Sequence, residues 1–358
     1  MSDVTQWGLN MRIKTITLLF CLSMMPAVPV AADSHIVRFS MNSQALDGNL
    51  LAISTDRPVE VYLPDGYRDG DQRYPVLYAL HDFFEREDAL FDRHDFDVLL
   101  DAAIAEGRMP PVIVVTSDFS TPTAHSLNTN SPVTGNWRTF LVDELVNEID
   151  GRFRTLSHRD SRGIFGYHIG GYGAIRTAAR HPEVFGSIYA LHPVATGIGH
   201  VLRSGRTDWN KLATITSLDE LDGDWISGIF ASIYQAHSPN PDNPPGYMRL
   251  YTEIVDGEHV VDSEIYAAFE RRFFLEAEIP EFADALNSLN GFKFDWGRHD
   301  PNNDHVIANQ YYTRKLRTYG VRHEAEEYQG GWGNRNFIAG GRCDSDMFPF
   351  FSALLVTE

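Results

Sequence analysis

The sequence predicts an α/β fold in which helices cover both faces of a mostly parallel sheet. Short runs of β-branched and aromatic residues alternate with segments of helical periodicity, as in chains built from strand–helix–strand units. Four of these runs are almost wholly apolar, which is typical of strands that are covered on both faces. The predicted strands are 59–63, 76–80, 112–115, 163–165, 188–191 and 292–294.

Two helical segments between the strands are well marked. The first ends at Gly151 and has apolar residues at helical spacing, namely Phe140, Leu141, Leu145 and Ile149. The second is predicted from Gly170 to about His181, because Pro182 cannot continue a helix. In an open parallel sheet the ligand site lies at the carboxyl ends of the strands. The residues that directly follow each strand are therefore the candidates for chemistry.

Composition and charge exclude several functions. The chain has 358 residues and contains 30 Lys and Arg against 49 Asp and Glu, a net charge of −19. Such a charge disfavours binding to nucleic acid or to an anionic membrane surface. Cys21 and Cys343 are the only cysteines, so a cysteine zinc site is excluded and a metal would be held by His and carboxylates. We expect the partner to be a small molecule; the sequence does not determine the oligomeric state.

The N-terminus has the layout of a secretory signal peptide. Arg12 and Lys14 precede an apolar run over 16–25, which is followed by Pro26 and the small residues of 30–32. The run is too short for a membrane-spanning helix, so we expect cleavage after Ala32 and no membrane anchor. The alternative is a buried N-terminal helix. The preferred interpretation assigns residues 1–32 to a signal peptide and 33–358 to one periplasmic or secreted domain.

The segment from about 197 to 290 interrupts the alternation of strands and helices. It contains the turn-rich stretch 239–246, in which four of eight residues are proline. We interpret it as a cap-like insertion over the carboxyl edge of the sheet, where it would shape substrate access. The alternative is an elaborate surface loop. The aromatic residues expected to line the site are Trp209, Trp225, Tyr234 and Tyr247.

A sharp strand-to-helix turn lies at Gly166-Tyr167-His168-Ile169-Gly170, the setting of a nucleophile elbow. Together with other motifs in the same order, this turn closely resembles the putative esterase family of α/β-hydrolases, which includes esterase D and enterochelin esterase-like proteins. The resemblance extends over about residues 40 to 356 and implies an α/β-hydrolase fold. The other motifs are 61–64, 74–81, 181–187 and 239–246.

The resemblance also implies that two of the family's catalytic residues are replaced in this chain. The family carries Ser at the centre of the elbow, where this chain has His168, and its general-base His corresponds to Trp332. An indole has no basic lone pair, so it cannot accept the proton of a nucleophile. The family's acid corresponds to Asp300, which thus lacks the imidazole that it would orient. The sequence therefore excludes the ordinary Ser-His-Asp mechanism.

The replacements at strand ends introduce side chains that bind metals or move protons. His168 replaces the family's Ser, His192 replaces the Ser of its Leu-Ser-Pro motif, and Asp82 replaces a Gly. With Asp300 these residues would hold one divalent ion such as Zn, Mn or Fe. The alternative is a metal-free site in which the imidazoles and carboxylates hydrogen-bond to one another. For catalysis we predict His168 and Asp300, with Tyr167 as a hydrogen-bond donor beside the elbow.

The sequence is compatible with two functions. One is an enzyme with non-standard chemistry centred on His168, acting on a carbonyl or ester-type small molecule. The other is a catalytically inactive relative that binds a ligand. In either case we expect four further residues around the pocket: His81, His259, His299 and Trp332.

Overall fold

The computed structural model describes residues 35–197 and 207–358. The predicted signal peptide and the first part of the predicted insertion lie outside these ranges. Within them, no helix is both long and apolar enough to cross a membrane.

An eight-stranded sheet forms the centre of the fold, with the strand order β1-β2-β4-β3-β7-β8-β11-β12. The first two pairs, β1 with β2 and β2 with β4, are antiparallel, and the remaining neighbours are parallel. The predicted mostly parallel sheet is thereby confirmed. The strands of this sheet are β1 (His35–Asn42), β2 (Asp56–Leu63), β3 (Val76–Leu80), β4 (Ile113–Ser117), β7 (Arg162–Tyr167), β8 (Ser187–Leu191), β11 (Gly291–Gly297) and β12 (Glu324–Tyr328). Two short ribbons lie outside it, formed by β5 (Asn130–Ser131) with β6 (Gly135–Asn136) and by β9 (Thr252–Val255) with β10 (Glu258–Val261).

Burial explains which strands the sequence predicted. All residues of β3, β4, β7 and β8 are buried, as expected for central strands covered on both faces. The two edge strands, β1 and β12, were not predicted. The strand β12 has the sequence Glu-Ala-Glu-Glu-Tyr and is mostly half-buried, so its composition lacks the apolar signal of a central strand.

The sheet divides the apolar core into two clusters, and helices flank both of its faces. The helices α3 and α4 contribute to the larger cluster on one face, and α1 and α10 contribute to the cluster on the other. The predicted second helix corresponds to α4. The helices are α1 (Phe96–Ala105), α2 (Trp137–Thr139), α3 (Val146–Arg152), α4 (Ile169–Arg180), α5 (Trp209–Thr214), α6 (Trp225–His237), α7 (Ser263–Phe273), α8 (Leu275–Asn287), α9 (Asn303–Thr318) and α10 (Phe348–Leu354).

The predicted insertion between β8 and β11 contains α5, α6, the β9–β10 ribbon, α7 and α8. Its α6 lies against loops at the carboxyl edge, where Gln235 accepts a hydrogen bond from Thr123 at 2.8 Å and Trp225 contacts Phe84. In contrast, α8 packs on α4, and Glu278 pairs there with Arg180. The segment that leaves the sheet therefore ends near residue 273, earlier than predicted, because α8 is a helix that flanks the sheet.

The aromatic residues of the insertion pack on one another and extend the larger apolar cluster. Tyr234 is fully buried and stacks on Phe269 at 4.6 Å between ring centroids, and Trp209 packs against Phe230. The prediction that Trp209 and Tyr234 line the site is therefore wrong. Aromatic residues spaced along helices serve here to hold the insertion together.

Candidate active site

The elbow after β7 has the backbone strain expected of a nucleophile elbow. His168 has φ 50° and ψ −112°, between the end of β7 and the start of α4. The flanking glycines are required by close backbone approach: a Cβ on Gly170 would lie 2.1 Å from the carbonyl oxygen of Leu80, and one on Gly166 would lie 2.4 Å from the carbonyl carbon of Gly170. The turn places the His168 side chain at the carboxyl edge of the sheet.

His168 forms a dyad with Asp82, which follows β3. The Nδ1 atom of His168 lies 2.7 Å from Oδ2 of Asp82. Because a carboxylate only accepts hydrogen bonds, Nδ1 carries the proton and Nε2 carries the basic lone pair. Among the described residues, Nε2 is buried without a hydrogen-bond partner. The arrangement is that of an imidazole oriented by a carboxylate to act as a base.

The other oxygen of Asp82 occupies the position where an esterase would hold an oxyanion. In an α/β-hydrolase that position receives the N–H of the residue after the elbow and an N–H from the loop after β3. Here the N–H of Ile169 points to Oδ1 of Asp82 at 3.5 Å, and the N–H of Asp82 lies 3.5 Å from Glu85 Oε2. A carboxylate at this position would repel the negative charge of an oxyanion.

A second cluster, of His192, Asp300 and His305, lies beside the dyad. Oδ2 of Asp300 is 2.8 Å from His192 Nε2 and 2.9 Å from His305 Nδ1. Burial lowers the pKa of His192 to about 4, against the opposing effect of Asp300. Burial would raise the pKa of Asp300, but the hydrogen bonds from His192 and His305 outweigh it and lower that pKa below its usual range.

The four predicted metal ligands reach the same edge of the sheet but belong to different pairs. His168 pairs with Asp82, while Asp300 pairs with His192, although the two imidazole rings are only 5.7 Å apart between centroids. Among the described residues, His192, Asp300 and His305 are the group whose ligand atoms lie within 4.8 Å of one another. Asp300 therefore does not orient His168, a role that belongs to Asp82.

Hydrogen bonding in this second cluster satisfies His192 without an ion. The backbone N–H of Gly297 donates to His192 Nδ1 at 3.1 Å. Since Nδ1 accepts, Nε2 of the neutral ring carries the proton and donates it to Asp300. A metal on Nε2 would have to displace that proton, so the donor set fits the metal-free alternative better.

Trp332 covers the elbow from the loop that follows β12. Its ring centroid lies 4.6 Å from that of His168 and 5.2 Å from that of His305. The adjacent Gly333 has φ 66°, and a Cβ there would lie 3.0 Å from His168 Nε2. The loop thus closes over the basic nitrogen, and Trp332 fills space beside it.

A surface cavity of about 510 Å³ opens next to this dyad. Tyr167 lines it, and its hydroxyl lies 3.1 Å from His94 Nε2, which is also 3.1 Å from Glu85 Oε1. Several lining residues were not predicted from the sequence. The acidic segment after β3 could have indicated those that lie in it, such as Glu85 and Asp95. The lining residues are Asp82, Glu85, Arg93, His94, Asp95, Tyr167, His168, Trp332, Gly333, Asn334, Asn336, Phe337 and Ile338.

Three predicted pocket residues have other positions. His81 is buried behind the elbow, where its Nε2 accepts from the N–H of Phe119 at 2.8 Å. His299 is exposed, is not part of the cavity lining, and bonds to Gln329. His259 lies on the exposed strand β10, where it bonds to Asn210, and it is not part of the cavity lining.

Comparison with known proteins finds a family match over the central part of the chain. Residues 51–227 match the family described as putative esterase. Over this region the chain is similar to the putative esterase family. Among curated proteins, the chain is 27% identical over 289 residues to an esterase of Mycobacterium tuberculosis, an alignment covering 78% of the chain and 53% of the relative. The chain thus spans about half the length of that relative.

Other similarities of the chain cover less sequence or are more distant. An endo-1,4-beta-xylanase/feruloyl esterase of Xylanibacter ruminicola is 32% identical over 135 residues, which are 35% of this chain and 18% of that protein. A ferulic acid esterase structure aligns with TM-score 0.58 and 18% identity, over 90% of this chain and 99% of that one. An S-formylglutathione hydrolase from Agrobacterium tumefaciens aligns with TM-score 0.58 and 14% identity, over 91% and 98%. These structures establish the α/β-hydrolase fold.

Proposed function

We propose that this chain is an exported enzyme of the putative esterase family that acts on a carbonyl or ester-type small molecule, with His168 as general base and Asp82 as its orienting carboxylate. The observation that carries the proposal is the 2.7 Å contact of Asp82 with Nδ1, which leaves Nε2 basic and without a partner among the described residues. A buried, unpaired acceptor is costly unless a ligand or water completes it.

The proposed reaction is hydrolysis without an acyl-enzyme. Nε2 of His168 removes a proton from water, the resulting hydroxide attacks the carbonyl carbon, and the tetrahedral intermediate expels the alkoxide, which takes the proton back from Nε2. Asp82 stabilises the imidazolium that forms between these steps. Because Asp82 also fills the usual oxyanion position, we assign the hydroxyl of Tyr167 as donor to the developing negative charge. Substrate entry requires the loop around Gly333 to move away from Nε2.

The test is hydrolysis of aryl esters and of methyl ferulate. Methyl ferulate is chosen because similar solved structures are ferulic acid esterases. His168→Ala should lower kcat/KM by about 10²- to 10⁴-fold, the range for loss of a general base. His181→Ala, just after α4, is the control because His181 pairs with Glu183 outside this site. A fluorophosphonate should label no residue at the elbow. Labelling there, or unchanged turnover in His168→Ala, would contradict the proposal.

A second candidate is a ligand-binding protein without turnover. It is favoured by the carboxylate oxygen of Asp82 beside the N–H of Ile169, which opposes the oxyanion of acyl transfer. In that case no ester in the panel is hydrolysed, while a ligand of the cavity still raises the melting temperature. The metal-assisted alternative would use His192, Asp300 and His305, and elemental analysis of the protein distinguishes it.

A further inference from the structure

We infer that the cavity beside His168 binds a small molecule through a protonated amine that still carries N–H donors. The inference rests on the proposed function in taking this cavity as the substrate site, and it adds the chemical class of the ligand. Three independent features of the cavity support it: its charge, an unpaired acceptor in its wall, and its aromatic lining.

The charge around the cavity is strongly negative. Three carboxylates line it, those of Asp82, Glu85 and Asp95, against one cation, Arg93. Residues 82–97, which follow β3, contain seven Asp and Glu against two Arg in a chain whose net charge is −19. A concave surface lined mainly by one sign of charge concentrates ligands of the opposite sign.

Asp95 is the carboxylate best placed to meet a ligand. It precedes α1 with φ 48° and makes no capping hydrogen bond to that helix. Glu85, in contrast, already accepts from Arg93 and lies against His94, both at 3.1 Å. The Asp95 carboxylate, exposed at the wall of the cavity, is thus the main charge left for a cationic ligand.

An unpaired acceptor in the wall indicates N–H or O–H donors on the ligand. Asn336 is 1% exposed and lines the cavity, and its side-chain Oδ1 has no hydrogen-bond partner among the described residues. Leaving such an acceptor unsatisfied is unfavourable by about 1–3 kcal/mol, so a ligand that donates to it gains affinity. A carboxylate ligand has no donor to offer, and a quaternary ammonium has none either.

The aromatic lining suits a cation as well. Trp332, Tyr167 and Phe337 line the same cavity, and Phe337 is stacked on His94 at 4.5 Å between ring centroids. An ammonium group is attracted to the face of an aromatic ring. The negative charge, the unpaired acceptor and the aromatic lining together fit a ligand that has a protonated amine with N–H donors attached to an apolar or aromatic group.

The experiment measures binding of four probes of similar size by isothermal titration calorimetry. They are 2-phenylethylamine, 2-phenylethanol, 3-phenylpropanoate and phenethyltrimethylammonium. We expect the amine to bind about tenfold or more tightly than the alcohol, as for a gain of one charge-assisted hydrogen bond. The quaternary ammonium should bind more weakly than the amine, and the carboxylate should show no binding. Raising the salt concentration should weaken only the cationic probes.

Variants locate the binding. Asp95→Asn should weaken the amine severalfold and leave the alcohol unchanged. Asp92→Asn is the matched control, since Asp92 lies in the same acidic segment but pairs with Arg38 and does not line the cavity. Equal affinity for amine and alcohol, tighter binding of the carboxylate, absence of amine binding, or equal effects of the two variants would each overturn the inference. Calorimetry is independent of turnover, so ester hydrolysis without amine preference contradicts this inference alone, and amine binding without turnover contradicts the proposed enzyme alone.

Discussion

The Nδ1 atom of His168 lies 2.7 Å from Oδ2 of Asp82, although the two residues are 86 positions apart in the sequence. The contact forms because β3 and β7 are neighbours and end at the same edge of the sheet. A histidine at a strained elbow thereby acquires the carboxylate that an ordinary catalytic base has. The same carboxylate reaches the N–H of Ile169 and takes the oxyanion position. The Asp at position 82, where the family has Gly, therefore orients a general base and also disfavours the oxyanion of acyl transfer.

Restoring the family's serine alone should not restore esterase activity. In His168→Ser the hydroxyl would have no base, since Trp332 stands where the family has its His, and the Asp82 carboxylate would still oppose the oxyanion. The combined variant His168→Ser, Asp82→Gly, Trp332→His removes both obstacles. Among the variants that carry Ser at position 168, we expect p-nitrophenyl acetate hydrolysis in the triple variant only, and we expect fluorophosphonate labelling at the elbow in that variant alone.

The single variants His168→Ser and Trp332→His are the controls for that experiment, with folding checked by circular dichroism. Robust hydrolysis by His168→Ser alone would show that another residue serves as base. Labelling of the unmodified chain near the elbow would show that a residue other than His168 acts there as a nucleophile.

Trp332 should protect the basic nitrogen of His168 from chemical modification. Nε2 is buried beneath Trp332 and Gly333 in the loop after β12. Diethyl pyrocarbonate acylates neutral imidazole nitrogens, so we expect slow modification of His168 that becomes severalfold faster in Trp332→Ala. Peptide mass spectrometry follows each histidine separately. Exposed His299 is the internal reference, and equal acceleration at His299 would indicate general unfolding instead of opening of the loop.

Sequence reasoning predicted the fold and the place of the site better than the pairing within it. Central strands were recognisable because burial on both faces makes them apolar, whereas β12 carries three glutamates and gave no such signal. The elbow glycines identified position 168 and the end of β3 identified position 82. The partners could not be predicted, because Asp82 and Asp300 both lie at the carboxyl edge and only side-chain direction decides which of them meets His168. The same limit applies to Asn336, which reaches the cavity from an irregular loop.

Elemental analysis of the protein, purified without chelator, should find far fewer ions than chains. The N–H of Gly297 fixes the proton of neutral His192 on Nε2, the nitrogen that a metal would need, and Asp300 already accepts from two imidazoles. Zinc, manganese and iron should all be offered before dialysis. About one equivalent that disappears in His192→Ala and His305→Ala, but not in His259→Ala, would contradict this expectation and support the metal-assisted alternative.

The stability of the fold should fall between pH 6.5 and pH 4 in part because of His192. Burial lowers the pKa of His192 to about 4, whereas the unfolded chain has the ordinary value near 6.5. Between these values the unfolded state binds the additional proton, so the free energy of unfolding decreases as the pH is lowered. From this one residue the decrease amounts to about 3 kcal/mol across the window. Denaturant unfolding at pH 7.0 and pH 4.5 measures this decrease.

The control variant is His192→Ser, which carries the family's residue. We expect it to be less stable at pH 7.0, since Asp300 loses a donor, and to show a smaller difference between the two pH values. Buried His81, His125 and His237, whose pKa values burial also lowers, contribute equally to both proteins, so the comparison isolates His192. An identical pH dependence in the two proteins would show that His192 does not titrate in this range during unfolding.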